Sequence, residues 1–209
     1  MIDCVTLATS HLFGDALAAQ HRLRYRVFIE RQQWDVPHWQ EMEYDQYDTP
    51  AASYLIYRDE QGEARGVSRM SPTTRPYMLK DVWPDMVSAE DLPCSSLVWE
   101  GTRIGIDRDL SPAERRRVLG ELVCAYAEFG LAHGVEWIIG VMPTLIIRSL
   151  FERSGWHVEL LGEPRVLGGD KVRAGKLRVD QATLERARTF FGIEGPILRL
   201  GADLMQEVA

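Results

Sequence analysis

Hydrophobic positions first recur on a helical period: Leu12, Ala16, Ala19, Leu23 and Val27 share one stripe of a helix predicted over residues 15–31. Arg24 and Phe28, four apart, share a different face of that helix and can converge on one spot. The period then shortens. ASYLIYRD (52–59) and ARGVSRMS (64–71) are rich in β-formers and flank the turn EQGE, which predicts a hairpin. A loop punctuated by Pro72, Pro76, Pro84 and Pro93 leads to LVWEGTRIGID (97–107), whose alternation predicts a strand. Ser111-Pro112-Ala113-Glu114 is a capping box with proline at the first helical position, so a helix runs from there to about His133. Gly134 stops it, and Val118, Leu119, Leu122, Val123 and Tyr126 form its buried stripe. The apolar strand VEWIIGVM leads into the helix LIIRSLFERS, stopped by Gly155; HVELLG and VRAGKLRVD read as further strands, with Gly168-Gly169 as the turn between them. The pattern predicts an α/β domain spanning 1–209, with a mixed sheet and one parallel crossover through the helix at 112–133.

One segment fits neither loop nor core. Residues 28–48, FIERQQWDVPHWQEMEYDQYD, hold five aromatics and six carboxylates but a single arginine. Solvated loops are poor in Trp, and core elements are poor in Asp and Glu.

Composition narrows the functional classes. The chain of 209 residues is 45% hydrophobic and 26% charged, and no apolar run approaches the roughly 20 residues of a membrane span. The start carries no basic segment followed by a long apolar stretch, so a cytoplasmic location is expected. Cys4, Cys94 and Cys124 are odd in number and widely spaced, as reduced thiols are, and the five histidines never pair at zinc-ligand spacing, so no metal is expected. The net charge of −7 and a pI near 5.3 argue against nucleic acid. That charge is uneven. Residues 111–178 hold 10 Lys or Arg against 8 Asp or Glu, leaving the rest strongly acidic, so the carboxy-terminal half is the friendlier face for an anionic partner. GxGxxG, Walker, GxSxG and HExxH motifs are all absent.

Charge also occurs where structure alone does not request it: Arg24 beside Phe28, Asp45 with Asp48, Arg69 inside one strand, Glu100 and Arg103 inside another. Charged groups in apolar strands must reach solvent or be paired in a cleft. Arg24, Phe28, Trp34, Asp45, Asp48, Arg69, Glu100 and Arg103, carried by RYRVF, QYD, PTTRPYML and WEGTR, make the chain resemble the LuxI-type acyl-homoserine lactone synthases, the autoinducer synthases. The resemblance covers about residues 5–180; the tail after Gly192 adds nothing to it. Where the family often has WELSR, this chain has Trp99-Glu100-Gly101-Thr102-Arg103, which keeps both charges and adds a methyl group at Thr102 beside the acyl channel.

The resemblance implies an N-acyltransferase (GNAT-like) fold, a twisted mixed sheet splayed into a V-shaped cleft with helices on both sides. It implies acylation of the amino group of S-adenosyl-L-methionine from an acyl thioester, then lactonisation with release of methylthioadenosine, yielding a quorum-sensing signal. Nothing is tightly bound as a cofactor; the substrates are S-adenosyl-L-methionine and acyl-ACP or acyl-CoA. In that frame, Phe28, Trp34, Asp45, Asp48 and Arg103 would bind S-adenosylmethionine, with aromatic surface for the adenine and cation and carboxylates for the ammonium. Residues 15–48 would form an N-terminal helix and mobile lid, and 104–180 the acyl and donor half. Glu100 would act as general base, directly or through water, with Arg24, Asp45, Asp48, Arg69 and Arg103 organised around the substrate. Backbone amides near 103–106 would meet the oxyanion. Thr102, Met142, Thr144, Leu145, Ile146, Ile147, Leu150 and Phe151 would line the acyl pocket, although such apolar residues form core in any fold. Arg116, Arg148 and Arg153 would dock the donor, and the charge asymmetry points to acyl carrier protein in preference to coenzyme A. The chain is expected to act as a monomer. Two other functions fit parts of the pattern: an acetyl-CoA-dependent acetyltransferase, which usually has a Gln/Arg-x-x-Gly-x-Gly/Ala loop where RRRVLGEL offers one glycine, and a non-enzymatic sensing module, which has no need of a titratable Glu100.

Overall fold

In the computed structural model, which describes residues 1–201, the alternating segments join in one mixed sheet. The chain begins with β1 (Ile2–Thr6), helix α1 (Ala16–Arg24), a π-helical turn (Tyr25–Arg31) and a small hairpin of β2 (His38–Trp39) with β3 (Met42–Glu43). Next come β4 (Ser53–Arg58), β5 (Ala64–Pro72), the short α2 (Met78–Val82) and β6 (Val98–Ile106). The order continues with α3 (Pro112–His133), β7 (Trp137–Pro143), α4 (Thr144–Ile146), β8 (Val158–Leu167), β9 (Asp170–Arg178), α5 (Gln181–Phe191) and β10 (Leu198–Arg199).

Strand order is β10-β1-β4-β5-β6-β7-β9-β8. β4–β5 and β8–β9 are the expected hairpins, the latter turning through Gly168 and Gly169, whose φ of 59° and 89° suit glycine. β6 and β7 are parallel and joined through α3, the predicted crossover. The Ser111 capping box forms as expected, and Gly134 closes α3 in the left-handed conformation. On one face of the sheet α3 and α5 cover the main core, which includes Leu122, Tyr126, Phe129, Phe151 and Leu177. On the other face α1 packs over β4 and β5 through Leu23, Val27, Phe28, Ile56 and Val67. A third cluster, Tyr77, Leu79, Met86, Ile139, Leu161 and Ala174, lies under the segment that holds α2.

Several details depart from the expected pattern. The helix of residues 15–31 is α-helical only to Arg24 and then widens into the π turn, which leaves Arg24 and Phe28 buried together. The helix of residues 145–154 starts at Thr144 and likewise passes through a π turn (Ile147–Phe151) and a 3₁₀ turn (Glu152–Ser154) before Gly155. β1, α5 and β10 are additions to the expected elements. Asp180 caps α5 by accepting from Thr183 N at 2.7 Å, and in the tail after Gly192 the two residues Leu198 and Arg199 form β10, which pairs with β1 in parallel; residues 202–209 lie outside the described part.

Candidate active site

The site begins with an irregularity in β6. Arg69 pairs with Thr102 and Val67 with Gly105, so one extra residue is accommodated on β6, where Arg103 has a φ of 54°. A non-glycine residue in that left-handed region is uncommon and marks a bulge with a purpose. Strict alternation would send Arg103 to the α3 face with Trp99 and Gly101; Trp99 packs on Phe129, and a Cβ at Gly101 would meet Tyr126 at 2.9 Å. The bulge turns Arg103 to the opposite face, beside Thr102, Glu100 and Arg69. Just there the sheet divides. β6 pairs with β7 only over Val98–Glu100 with Trp137–Ile139, and beyond that point the strands part. This divergence is the cleft, with residues 101–106 along one wall.

Residues 24–48 close over this face. Arg24, fully buried, donates to Glu43 at 2.5 Å and to both oxygens of Asp48 at 2.7 and 2.9 Å. Arg69, also fully buried, meets Asp45 at 2.6 and 3.2 Å, Asp48 at 3.0 Å and the Thr102 hydroxyl at 3.1 Å. Arg103 completes the circuit on Glu43 at 3.0 Å and Asp45 at 2.8 Å. Each guanidinium bridges two carboxylates and each carboxylate bridges two guanidiniums, so three positive and three negative groups alternate in a closed ring. Tyr54 donates its hydroxyl to Asp48 at 2.8 Å. Burial alone would raise the Asp48 pKa, but Arg24, Arg69 and the Asp45 N–H overcome it and hold the carboxyl well below its usual range. The outer wall is aromatic: Phe28 and Trp34 stack at 4.8 Å and 18°, with the Arg103 guanidinium 5.7 and 5.8 Å from the two rings.

The ring explains the composition of residues 28–48. Glu43, Asp45 and Asp48 turn inward to the arginines, while Glu30, Asp35 and Glu41 stay exposed. The β2–β3 turn, with φ of 48° at Gln40 and 60° at Glu41, reverses the chain so that Glu43 reaches the ring. Glu43 is the member that motif reading misses, and the signal for it is arithmetical. Three arginines face two aspartates, with Glu100 reserved as a base, so one buried guanidinium still lacks a partner.

Glu100 lies beside the ring and outside it. It is 2% exposed, and its two oxygens accept from Leu79 N at 2.6 Å and Met78 N at 2.8 Å. Burial pushes its pKa up to about 7 against the opposing pull of those amides and Arg69.

The acyl set divides. Ile147, Leu150 and Phe151 are buried, and Met142 and Ile146 pack half-buried on the main core. Thr144 donates its hydroxyl to Lys171 O at 3.2 Å. Two members are corrected. Thr102 does not join the apolar residues, because the pleat sets it opposite Arg69 and its hydroxyl accepts from that guanidinium. Leu145 is 73% exposed at the start of the helix and contributes no buried lining. Of the donor-docking trio, Arg148 and Arg153 are exposed, and Arg116 is exposed with its guanidinium over the Phe190 ring at 5.8 Å.

Comparison with known proteins bears on the fold and on the family. The autoinducer synthase family profile matches residues 10–187. An acyl-homoserine-lactone synthase of Aeromonas salmonicida is 34% identical over 163 residues, covering 76% of this chain and 77% of that protein. The solved structure of BjaI, a CoA-dependent acyl-homoserine lactone synthase with MTA, superposes with a TM-score of 0.85 at 25% identity over 100% of this chain and 99% of its own. TofI, in a ternary complex with an inhibitor and MTA, superposes at 0.69 with 34% identity over 83% and 90%. With its splayed mixed sheet, its charged ring and this match over most of its length, the chain belongs to the autoinducer synthase family of acyltransferases, the acyl-homoserine lactone synthases.

Proposed function

We propose that the ring and Glu100 together form the S-adenosylmethionine site of an acyl-homoserine lactone synthase whose donor is an acyl-coenzyme A. The observation that carries the site is the neutral, closed alternation of three arginines and three carboxylates beside a buried base. A zwitterion can enter such a ring by exchange, its ammonium taking a carboxylate and its carboxylate a guanidinium, without leaving uncompensated charge. Phe28 and Trp34 then cover the adenosine and the sulfonium, and residues 28–48 act as a lid that orders on the ligand.

Acyl transfer requires a neutral amine, and free α-amino groups are largely protonated below pH 8. A carboxyl poised near 7 suits proton removal at neutral pH. Unpaired β6 amides along the cleft wall would stabilise the oxyanion. Lactonisation needs only the substrate carboxylate to curl onto its own γ-carbon with methylthioadenosine as leaving group, a task for positioning. Ile147, Leu150, Phe151, Met142 and Ile146 are the residues that would part to admit the acyl chain.

Two observations favour coenzyme A as carrier. BjaI, named as CoA-dependent, matches the whole described chain, including the tail that pairs β10 with β1. Three of the ten cations of residues 111–178 are also ion-paired, Arg165 with Asp85, Lys176 with Glu159 and Arg178 with Glu136. Each paired cation offers an acidic carrier protein less steering field than a free one. The test is catalytic efficiency with matched acyl-coenzyme A and acyl-carrier donors at low and high salt, with the product identified by mass spectrometry. Efficient coenzyme A turnover, unaffected by salt or by Arg116→Glu with Arg153→Glu, is expected. Dependence on carrier protein that collapses with salt and with both charge reversals would assign the other donor. Absence of any acyl-homoserine lactone with either donor would overturn the function itself.

A further inference from the structure

Two buried hydroxyls share the face of Glu100 and make no hydrogen bond of ordinary geometry to the described residues. Ser71 lies directly opposite Glu100 in the β5–β6 register, is 4% exposed, and its Oγ makes no hydrogen bond. Side chains directly across an antiparallel pair share one face with Cβ atoms about 5 Å apart, so the serine hydroxyl and the glutamate carboxyl open onto the same space. Tyr47 is 2% exposed and sits against the Arg69 guanidinium, 5.7 Å from its ring, two positions along β5 from Ser71 and on that same face. Its hydroxyl also has no bond of ordinary geometry. Burial raises its pKa, and the Asp81 carboxylate, through its charge and a loose hydrogen bond, and the Glu100 carboxylate add to the effect against an opposing contact with Gln46, so the phenol lies among these groups.

Buried hydroxyls are rarely left unbonded, and a buried water characteristically makes two to four bonds to such groups. The Glu100 oxygens already accept Met78 N and Leu79 N, which fixes the plane of the carboxyl but leaves lone pairs toward this space. A serine hydroxyl, a phenol, a carboxylate and an incoming amine supply the four neighbours of one water.

We propose that Ser71 and Tyr47 are positioning residues for acyl transfer, whose hydroxyls hold the water that relays the proton from the substrate amine to Glu100. This rests on the reading of Glu100 as the base. The ammonium first gives one proton through this water to Glu100, which releases it to solvent. The neutral nitrogen then bonds the thioester carbonyl carbon, and its second proton passes through the water to Glu100. The carbon–sulfur bond breaks, and the departing thiolate takes that proton to leave as a thiol. One amide forms, one thioester is consumed, and one proton is released.

The experiment compares kcat, the KM for S-adenosylmethionine and methylthioadenosine binding by calorimetry in Ser71→Ala, Tyr47→Phe and the double variant. Ser71→Thr retains a hydroxyl, and Tyr47→Phe retains the ring under Arg69, so a folded protein is available at each position. Each hydroxyl deletion is expected to lower kcat about tenfold and the pair about 100-fold, with KM and methylthioadenosine binding unchanged and with recovery in Ser71→Thr. In a Glu100→Gln background neither deletion should lower kcat further, because a group that acts through Glu100 has nothing left to position. Wild-type kcat in both single variants, or a full additional loss in the Glu100→Gln background, overturns the relay while leaving the base intact. Near-normal turnover of Glu100→Gln itself overturns the base, and the relay with it.

Discussion

The proposed amino-acid side and the proposed acyl side of this cleft are built on opposite principles. Around Arg24, Arg69 and Arg103 every charge has a named partner and the guanidiniums of Arg24 and Arg69 are fully buried, so the chemistry is written in polar contacts. Between Met142 and Phe151 the inward-packed residues, Met142, Ile146, Ile147, Leu150 and Phe151, are apolar and serve equally as core. The first kind of site tolerates almost no substitution and announces itself in sequence. The second can change shape while the fold stays the same, which is why acyl length is not legible in it.

The sharpest way to break the contrast is to remove one member of the ring. Arg69→Ala would leave Asp45 and Asp48 buried with one partner fewer each, and loss of one partner from a buried ionic network costs about 3–5 kcal/mol. Urea unfolding should show that loss, and Arg69→Lys should recover only part, because an ammonium cannot span two carboxylates as a fork does. An Arg69→Ala protein of wild-type stability would mean that the ring is open in solution.

Next in size is Glu100→Gln, expected to lower kcat by about 100-fold, equivalent to about 3 kcal/mol of barrier. The pH dependence carries the sign. The folded pKa lies above the ordinary carboxyl value of 4.5, so the associated stability is full below about 4.5 and is lost as pH rises through about 7, roughly 3 kcal/mol in all. Activity runs the other way, rising as Glu100 ionises. The variant should lose both trends: unfolding free energy should lack the decline between pH 4.5 and 7, and the acid limb of kcat with its midpoint near 7 should vanish. Retention of that limb in the variant would assign it to another group.

Why the ring is legible in the sequence follows from cost. A guanidinium in the strand ARGVSRMS or WEGTRIGI is expensive unless paired, so Arg69 and Arg103 mark the site by their positions in the chain alone. Glu43 escapes because its neighbours Glu41 and Tyr44 are exposed, so the segment reads as solvated, and only the two-residue turn of the β2–β3 hairpin sends residue 43 inward. The π turn after Arg24 and the bulge at Arg103 are equally hidden. Both insert one residue into a regular period, and a period read over a window of residues averages such an insertion away. Thr102 is misplaced for a related reason: its face depends on the register with Arg69, which no local pattern supplies.

A smaller effect tests the lid. Trp34 is 40% exposed and stacks on buried Phe28, so Trp34→Ala should cost little stability yet weaken S-adenosylmethionine binding about tenfold, the scale of one aromatic contact with a cation. Limited proteolysis within 30–48 should slow when S-adenosylmethionine is added to the wild-type protein and slow less in the variant. Equal cutting with and without ligand would mean that the segment is already as ordered as it becomes.

The smallest expected change comes from the acyl side, at Leu145. Its neighbours Ile147 and Phe151 are buried to 1% and 0% exposure, whereas Leu145 is 73% exposed. Little apolar area would return to water on truncation, so Leu145→Ala should shift stability by no more than about 0.5 kcal/mol, as surface substitutions do. Preference among donors of different chain length should also be unchanged, because a side chain in solvent cannot sense where an acyl chain ends. Competition between short and long acyl thioesters, with products quantified by mass spectrometry, measures this directly. A tenfold change in product ratio would show that the helix starting at Thr144 rotates when the donor binds and turns Leu145 inward. The acyl side would then be a site assembled by its substrate, in contrast to a ring whose charges satisfy one another.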